Sequence, residues 1–254
     1  MKKKMLLMLL YLMVLGLFAY ENSMLNLYAP TQLDKGQGQF QIKHRFYGDI
    51  TEEPLDSFFG MLNGVNIGID LRYQIFPKAE MTFNYSKFKK DTQFGLSYLL
   101  NIEDFPLHGQ INIDYLTFKE PLMNDDRRGN FKSVLSIQNE ALWDRFVGTI
   151  NTGYDLYYER PLLGFGANVM ILDKVYLIGE YYPVLDRSTD IVQLKRYLKE
   201  SDVFTVGLKL DTYGHHFKFQ VSNSEHLTLH RLTMGADRKA PLMFGFNIER
   251  RLGL

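Results

Sequence analysis

The chain has 254 residues, 46% of them hydrophobic, with 29 basic residues against 29 acidic and no cysteine. A formal charge of zero supplies no basic footprint for nucleic acid. The lack of cysteine excludes disulfides, thiolate metal sites, cysteine nucleophiles and a lipidated N-terminal cysteine.

Met1 is followed by Lys2, Lys3 and Lys4 and then by an uncharged apolar run from Met5 to Ala19. This is the basic and hydrophobic pattern of a secretory signal, shorter than the roughly 20 residues of a spanning helix. Cleavage after Ala19 is expected, giving a signal peptide over 1–19 and one domain over 20–254 with a net charge of about −3 once the three lysines are lost. Every later apolar run is broken by polar residues, which excludes an α-helical membrane protein.

Beyond Ala19 the chain alternates with period two. Phe40, Ile42, His44 and Phe46 alternate with Gln39, Gln41, Lys43 and Arg45. From Val65 to Ile75 the odd positions are Val, Ile, Ile, Leu, Tyr and Ile, while the even ones are Asn66, Gly68, Asp70, Arg72 and Gln74. Successive side chains of a strand point to opposite faces, so such segments split into a greasy and an ionic surface. The same rule places strands at 81–86, 93–100, 109–118, 130–139, 145–157, 162–172, 174–182, 202–211, 215–222 and 242–252. That makes about twelve.

The connections alternate in length. Long polar segments fall at Gly48–Asn63, Lys119–Gly129, Pro183–Ser201 and Asn223–Pro241, and tight turns at Phe76–Pro77–Lys78 and Asp173. Even strand number, such strand lengths and loops that are long on one side only are the pattern of a closed, antiparallel, up-and-down outer-membrane β-barrel. A soluble sandwich shares the alternation. The membrane is favoured by three observations: mid-strand polar residues such as Asp70, Arg72, Asn84 and Asn112, which a dry core could not bury cheaply; aromatics near strand ends, as at Phe40, Phe46, Tyr73, Phe76, Tyr115, Phe118, Tyr176 and Tyr181; and a last strand with Phe244, Phe246, Ile248, Leu252 and Leu254, interrupted by Arg250. In lipid every backbone polar group needs a partner within the protein, so the first strand, near Phe40, must pair with the last, near Phe246.

The stretches PTQLDKGQGQFQIKHRFYGDI (Pro30–Ile50), NGVNIGIDLRYQI (Asn63–Ile75), FKFQVSNSEHLT (Phe217–Thr228) and MFGFNIERRL (Met243–Leu252) together resemble an uncharacterised β-barrel family common in Bacteroidota, known as a domain of unknown function. The resemblance spans essentially the whole mature chain. It implies an outer-membrane barrel with no established activity. It also implies a Gly-rich loop after the opening strand, where this chain has the acidic DITEEPLDSFFGM (Asp49–Met61).

A twelve-stranded cylinder lies between the filled eight-stranded type and the water-filled porins, so its lumen is either a narrow pore or plugged. Inward-facing candidates are Gln41, Lys43 and Arg45 on the first strand, Asp70 and Arg72 on the second, and Asn112 and Asp114 on the fifth. Such mixed charges either form a selective constriction or pair with one another and rigidify a closed lumen. Hydrolase chemistry requires a histidine held within reach of a serine. Ser222, Asn223, Ser224, Glu225 and His226 supply the residue types, in what reads as a loop. His215 and His216 are adjacent and point to opposite faces, whereas His226 and His230 have the i, i+4 spacing that would let a helix present both to zinc. Neither pair comes with a clear third ligand, so no metal or cofactor is expected. Ile191, Leu194 and Leu198 have helical spacing within the Pro183–Ser201 loop, with Lys195, Arg196 and Lys199 on other faces. Glycines within strands, such as Gly68, Gly95, Gly166, Gly207 and Gly245, permit curvature or close approach of a plug.

The sequence therefore reads as a bacterial outer-membrane barrel whose expected partners are membrane lipid and small solutes. A passive narrow pore is the first reading, a structural or partner-binding barrel the second, and a hydrolase the third.

Overall fold

A computed structural model of the chain describes residues 24–253 apart from 53, 56–57, 102–105, 121–125, 140–141, 144 and 186–197. The expected signal segment and most of the helix expected near Ile191–Leu198 lie outside the described residues.

Twelve strands run in chain order: β1 (Gln37–Asp49), β2 (Val65–Phe76), β3 (Ala79–Ser86), β4 (Asp91–Asn101), β5 (Leu107–Glu120), β6 (Asp126–Asn139), β7 (Phe146–Asp155), β8 (Arg160–Leu172), β9 (Val175–Tyr182), β10 (Val203–Thr212), β11 (His215–Ser222) and β12 (Met243–Gly253). Each pairs antiparallel with its sequence neighbours, and β1 closes the cylinder against β12. The closing register sets Phe40 opposite Arg250, Ile42 opposite Ile248 and His44 opposite Phe246. Among the described residues no strand edge is left open, which satisfies the backbone demand that lipid imposes.

Tight turns at Pro77–Lys78, Asp173–Lys174 and Tyr213–Gly214 lie at one mouth, with Lys78, Lys174 and Gly214 at positive φ as hairpin geometry requires. The connections 50–64, 183–202 and 223–242 lie at the other mouth. The loop 223–242 carries a one-turn helix, α1 (Leu229–Leu232).

The parity of each strand decides which way its residues face. On β4 to β6, Phe94, Leu96, Ile113 and Phe131 are more than half exposed on the outer wall, while Gln93, Asn112 and Lys132 are buried inside. The greasy stripe is thus the exterior. Two aromatics expected in the interfacial girdle turn inward instead. Tyr115 is outside, but Phe118, three residues on, is completely buried; Tyr181 is outside, but Tyr176, five residues before it, is buried. An odd separation on a strand reverses the face, and inside these rings find partners: Phe118 packs on Tyr157, Tyr158 and His230, and Tyr176 stacks under the Lys209 ammonium at 4.2 Å.

The lumen is not empty. Residues 24–33, ahead of β1, lie across the interior, and the loop 223–242 folds in from the opposite mouth. Met24, Leu25 and Leu27 from the first meet Leu229, Leu232 and Ala236 from the second, against Val134, Leu162, Ile178, Tyr182 and Val203 of the wall. A small apolar core forms inside a polar cylinder. The wall admits it at two glycines: a Cβ at Gly164 would stand 2.6 Å from Leu27 Cδ2, and one at Gly166 would stand 2.8 Å from Leu27 Cδ1.

Candidate functional site

The N-terminal segment is irregular, bent over residues 25–27 and without a sheet or helix partner for its backbone, so most of its polar groups must be satisfied by wall side chains. Glu180 of β9 does most of this. One oxygen, Oε1, accepts three successive backbone N–H groups, from Leu25 at 2.7 Å, Asn26 at 2.8 Å and Leu27 at 3.0 Å. The other accepts the Asn26 amide at 3.1 Å and the Tyr182 hydroxyl at 2.6 Å. Asn151 of β7 holds both sides of one residue, accepting from Tyr28 N–H and donating to Tyr28 C=O, each at 2.8 Å. The Tyr28 hydroxyl meets Asp114 at 2.9 Å, Gln93 at 2.6 Å and Lys132 at 2.9 Å. Lys218 donates to Met24 C=O and Asn247 to Leu25 C=O, Arg72 donates to Thr31 C=O, and Glu80 accepts from Leu33 N–H. The partners span β2 to β12.

The inward loop is held by charge. Arg231 donates to both Asp91 oxygens at 3.1 Å and lies over the Phe118 ring at 4.9 Å. His230 Nδ1 pairs with Asp155, both fully buried, and Arg160 donates to Thr233 C=O at 2.7 Å. His230 Nε2 is buried without a partner.

Between the N-terminal segment and the β1–β5 wall remains a cavity of about 100 Å³. Gln41, Lys43, Asp70, Arg72 and Asn112 line it, together with Asn84 and Thr82. Its charges pair across neighbouring strands: Lys43 with Asp70 at 2.5 Å and Arg72 with Glu80 at 2.7 Å. Asp114 lies beside the cavity and binds the plug through Tyr28. Arg45 is elsewhere. It is completely buried against Gly245, with no hydrogen-bond partner on any of its three guanidinium nitrogens, and feels the Glu180 carboxylate through space.

The histidine and serine candidates separate. Ser224 Oγ accepts the backbone N–H of His226 at 3.3 Å, and the His226 ring packs on Phe88 with Nδ1 unpartnered, so ring and hydroxyl are not paired. α1 begins after His226, and His230 turns to Asp155 rather than towards it. His216 pairs with Asp211 at 2.6 Å. Among the described residues no group of three or more histidines or carboxylates is placed to hold a metal.

Burial, reinforced by the charges of Arg231, His230, Lys199 and Lys89, lowers the His226 imidazole to about 3. A histidine held below its unfolded value stabilises the folded loop fully above pH 6.5 and loses that contribution as pH falls toward 3. Glu225 is pushed up, chiefly by burial, and works in the opposite sense, losing its contribution as pH rises. Acidification from about pH 7 to pH 4 should therefore lower hydrogen-exchange protection in residues 226–236, and His226→Leu should flatten that fall.

Sequence reasoning missed Glu180, Asn151, Tyr28 and the two loop pairs. Glu180 does leave a signal, being the one charge in the otherwise apolar strand VYLIGEYY.

A closed antiparallel cylinder with an apolar exterior and a charge-paired interior is a membrane-bound β-barrel. The chain belongs to the family described as membrane bound beta barrel domain (DUF5777), whose model matches residues 21–139 and 158–252. Comparison with curated protein sequences gives no match. Among solved structures, the KdgM porin is 8% identical with a TM-score of 0.48, covering 84% of this chain and 98% of its own. Omp33 of Acinetobacter baumannii is 9% identical at 0.45, covering 86% and 99%, and LpxR from Salmonella typhimurium 8% identical at 0.44, covering 85% and 100%. Identities this low carry no information about activity.

Proposed function

We propose that the chain is a narrow passive pore of the bacterial outer membrane for small polar solutes, closed at rest by its own N-terminal segment. The observation that carries this reading is the cavity of about 100 Å³ along the β1–β5 wall, lined by amides and paired charges. It lies beside a plug held by hydrogen bonds and packing alone. Passage then runs along the polar wall when residues 24–33 yield, and Lys43, Asp70 and Arg72 meet the solute. The lumen-lining roles of Gln41 and Asn112 are those of hydrogen-bonding groups for an uncharged solute, while Asp114 holds the plug through Tyr28 and Arg45 lies away from the cavity against Gly245.

Planar bilayers test it. Reproducible single-channel steps are expected from refolded protein; silence from both the wild type and a variant with a weakened plug would overturn the reading. Arg72→Ala removes the partner of buried Glu80 and enlarges the cavity, so the open channel should shift toward cations. The reversal potential in asymmetric salt reports it.

A second reading, a partner-binding barrel, is favoured by one observation. Leu55, Phe58, Phe59 and Leu62 in the β1–β2 connection are exposed at the long-loop mouth, where a monomer in water would bury them.

A further inference from the structure

Seven wall residues recognise the plug by its main chain: Glu180, Asn151, Ser136, Lys218, Asn247, Arg72 and Glu80 bond backbone N–H or C=O groups of Met24, Leu25, Asn26, Leu27, Tyr28, Thr31 and Leu33. Two features are particular to peptides. A single carboxylate oxygen takes three consecutive N–H groups, and one carboxamide takes the N–H and C=O of a single residue. A sugar offers hydroxyls that both donate and accept, and has no need of such alternation. The side chains of the segment are read chiefly at three positions. Leu27 fills a niche made by two glycines, and Tyr28 and Asn26 make polar contacts.

We propose that the lumen is a binding site for an oligopeptide in an irregular, bent conformation, occupied in the resting protein by residues 24–34, and that short peptides are the solute class the pore admits. The second clause rests on the pore reading above; the first does not. Asp34 and Lys35, between plug and β1, are exposed. The tether there keeps the segment at an effective concentration of about millimolar, which excludes competitors until the segment is displaced.

The experiment uses the full folded chain carrying a specific protease site inserted between Asp34 and Lys35, reconstituted in detergent and cut after folding. The segment then becomes a non-covalent ligand. A fluorescent synthetic peptide of residues 24–34 is expected to exchange into the lumen saturably. N-methylation at residues 25, 26 and 27, which deletes the three donors to Glu180, should weaken it at least a hundredfold, since each lost charged bond is roughly tenfold. A peptide scrambled at the other positions but keeping Asn26, Leu27 and Tyr28 in place should lose about tenfold or less. Glu180→Gln should weaken the unmodified peptide about tenfold, with heat-modifiable gel mobility confirming a folded barrel. Absence of exchange, or equal binding of the N-methylated peptide, would overturn the site, and neither depends on a variant of the barrel wall.

Liposome swelling tests the solute class separately. Faster swelling with tripeptides than with neutral sugars of equal mass is expected, and equal rates would overturn that clause. Failure of swelling with every solute overturns the pore reading and with it the solute class, while leaving peptide exchange to be judged by its own result.

Discussion

Replacing Glu180 by alanine is expected to convert a mostly silent barrel into an open one. The carboxylate is buried and accepts three main-chain N–H groups at 2.7–3.0 Å. Removing it leaves three donors without partners inside a lumen that also holds Met24, Leu25 and Leu27 in apolar contact. A buried donor left unpaired costs about 1–3 kcal/mol, and water entering the vacated space recovers part of that. A net loss on the order of 3 kcal/mol shifts the equilibrium for departure of the segment by roughly a hundredfold. Open probability in planar bilayers should rise by a similar factor. Arg45, which Glu180 offsets through space, then loses that counter-charge, so the open variant should shift toward anions. A variant with wild-type open probability would show that the segment is not the barrier.

Asp91→Ala is expected to have the largest effect on stability. Arg231 is buried in the inward loop and takes both oxygens of Asp91. Breaking a buried pair by removing one partner typically costs about 3–5 kcal/mol, because the remaining charge is left in a poor solvent. The loop should respond by leaving the lumen with Arg231, exposing that residue to trypsin. Cleavage after Arg231 in folded, detergent-solubilised protein is the readout. Arg231→Ala alone should cost less, and the double variant Asp91→Ala, Arg231→Ala should cost less than Asp91→Ala. Equal resistance to trypsin in wild type and Asp91→Ala would contradict this assignment.

The wall and the plug differ in how far they could be read from the chain. The strands and the closing pair were legible because period-two alternation is local and repeats in every hairpin: Val65–Ile75 sorts its own faces, and closure requires the first strand to meet the last, whereas the register that sets Phe40 opposite Arg250 and His44 opposite Phe246 was not. Gln41, Lys43, Asp70, Arg72 and Asn112 border one cavity for the same reason. The plug had no such signature. Residues 24–33 have no period, and their partners lie far away, 155 residues from Leu25 to Glu180 and 222 from Leu25 to Asn247. Phe118 and Tyr176 read as girdle residues when judged by nearness to a strand end; counting parity from Tyr115 and Tyr181 would have turned both inward. In the loop 223–242, Leu229 and Leu232 look like part of a polar connection because their helix is a single turn, too short to show a period of 3.6. What made them core residues was the apolar patch left inside the cylinder by Leu162, Ile178 and Val203, a fact of closure rather than of any one segment.

The most direct test locks the plug in place. The chain has no cysteine, so Leu27→Cys with Gly164→Cys gives a single bridge between the segment and the wall, at positions already in close contact. Conductance of this protein is measured in one bilayer before and after reduction, in the Glu180→Ala background. Silence is expected while the bridge is intact, and channel steps once it is broken. Equal conductance in both states would mean that solutes pass without the segment moving, and the plug would have no part in closing the barrel.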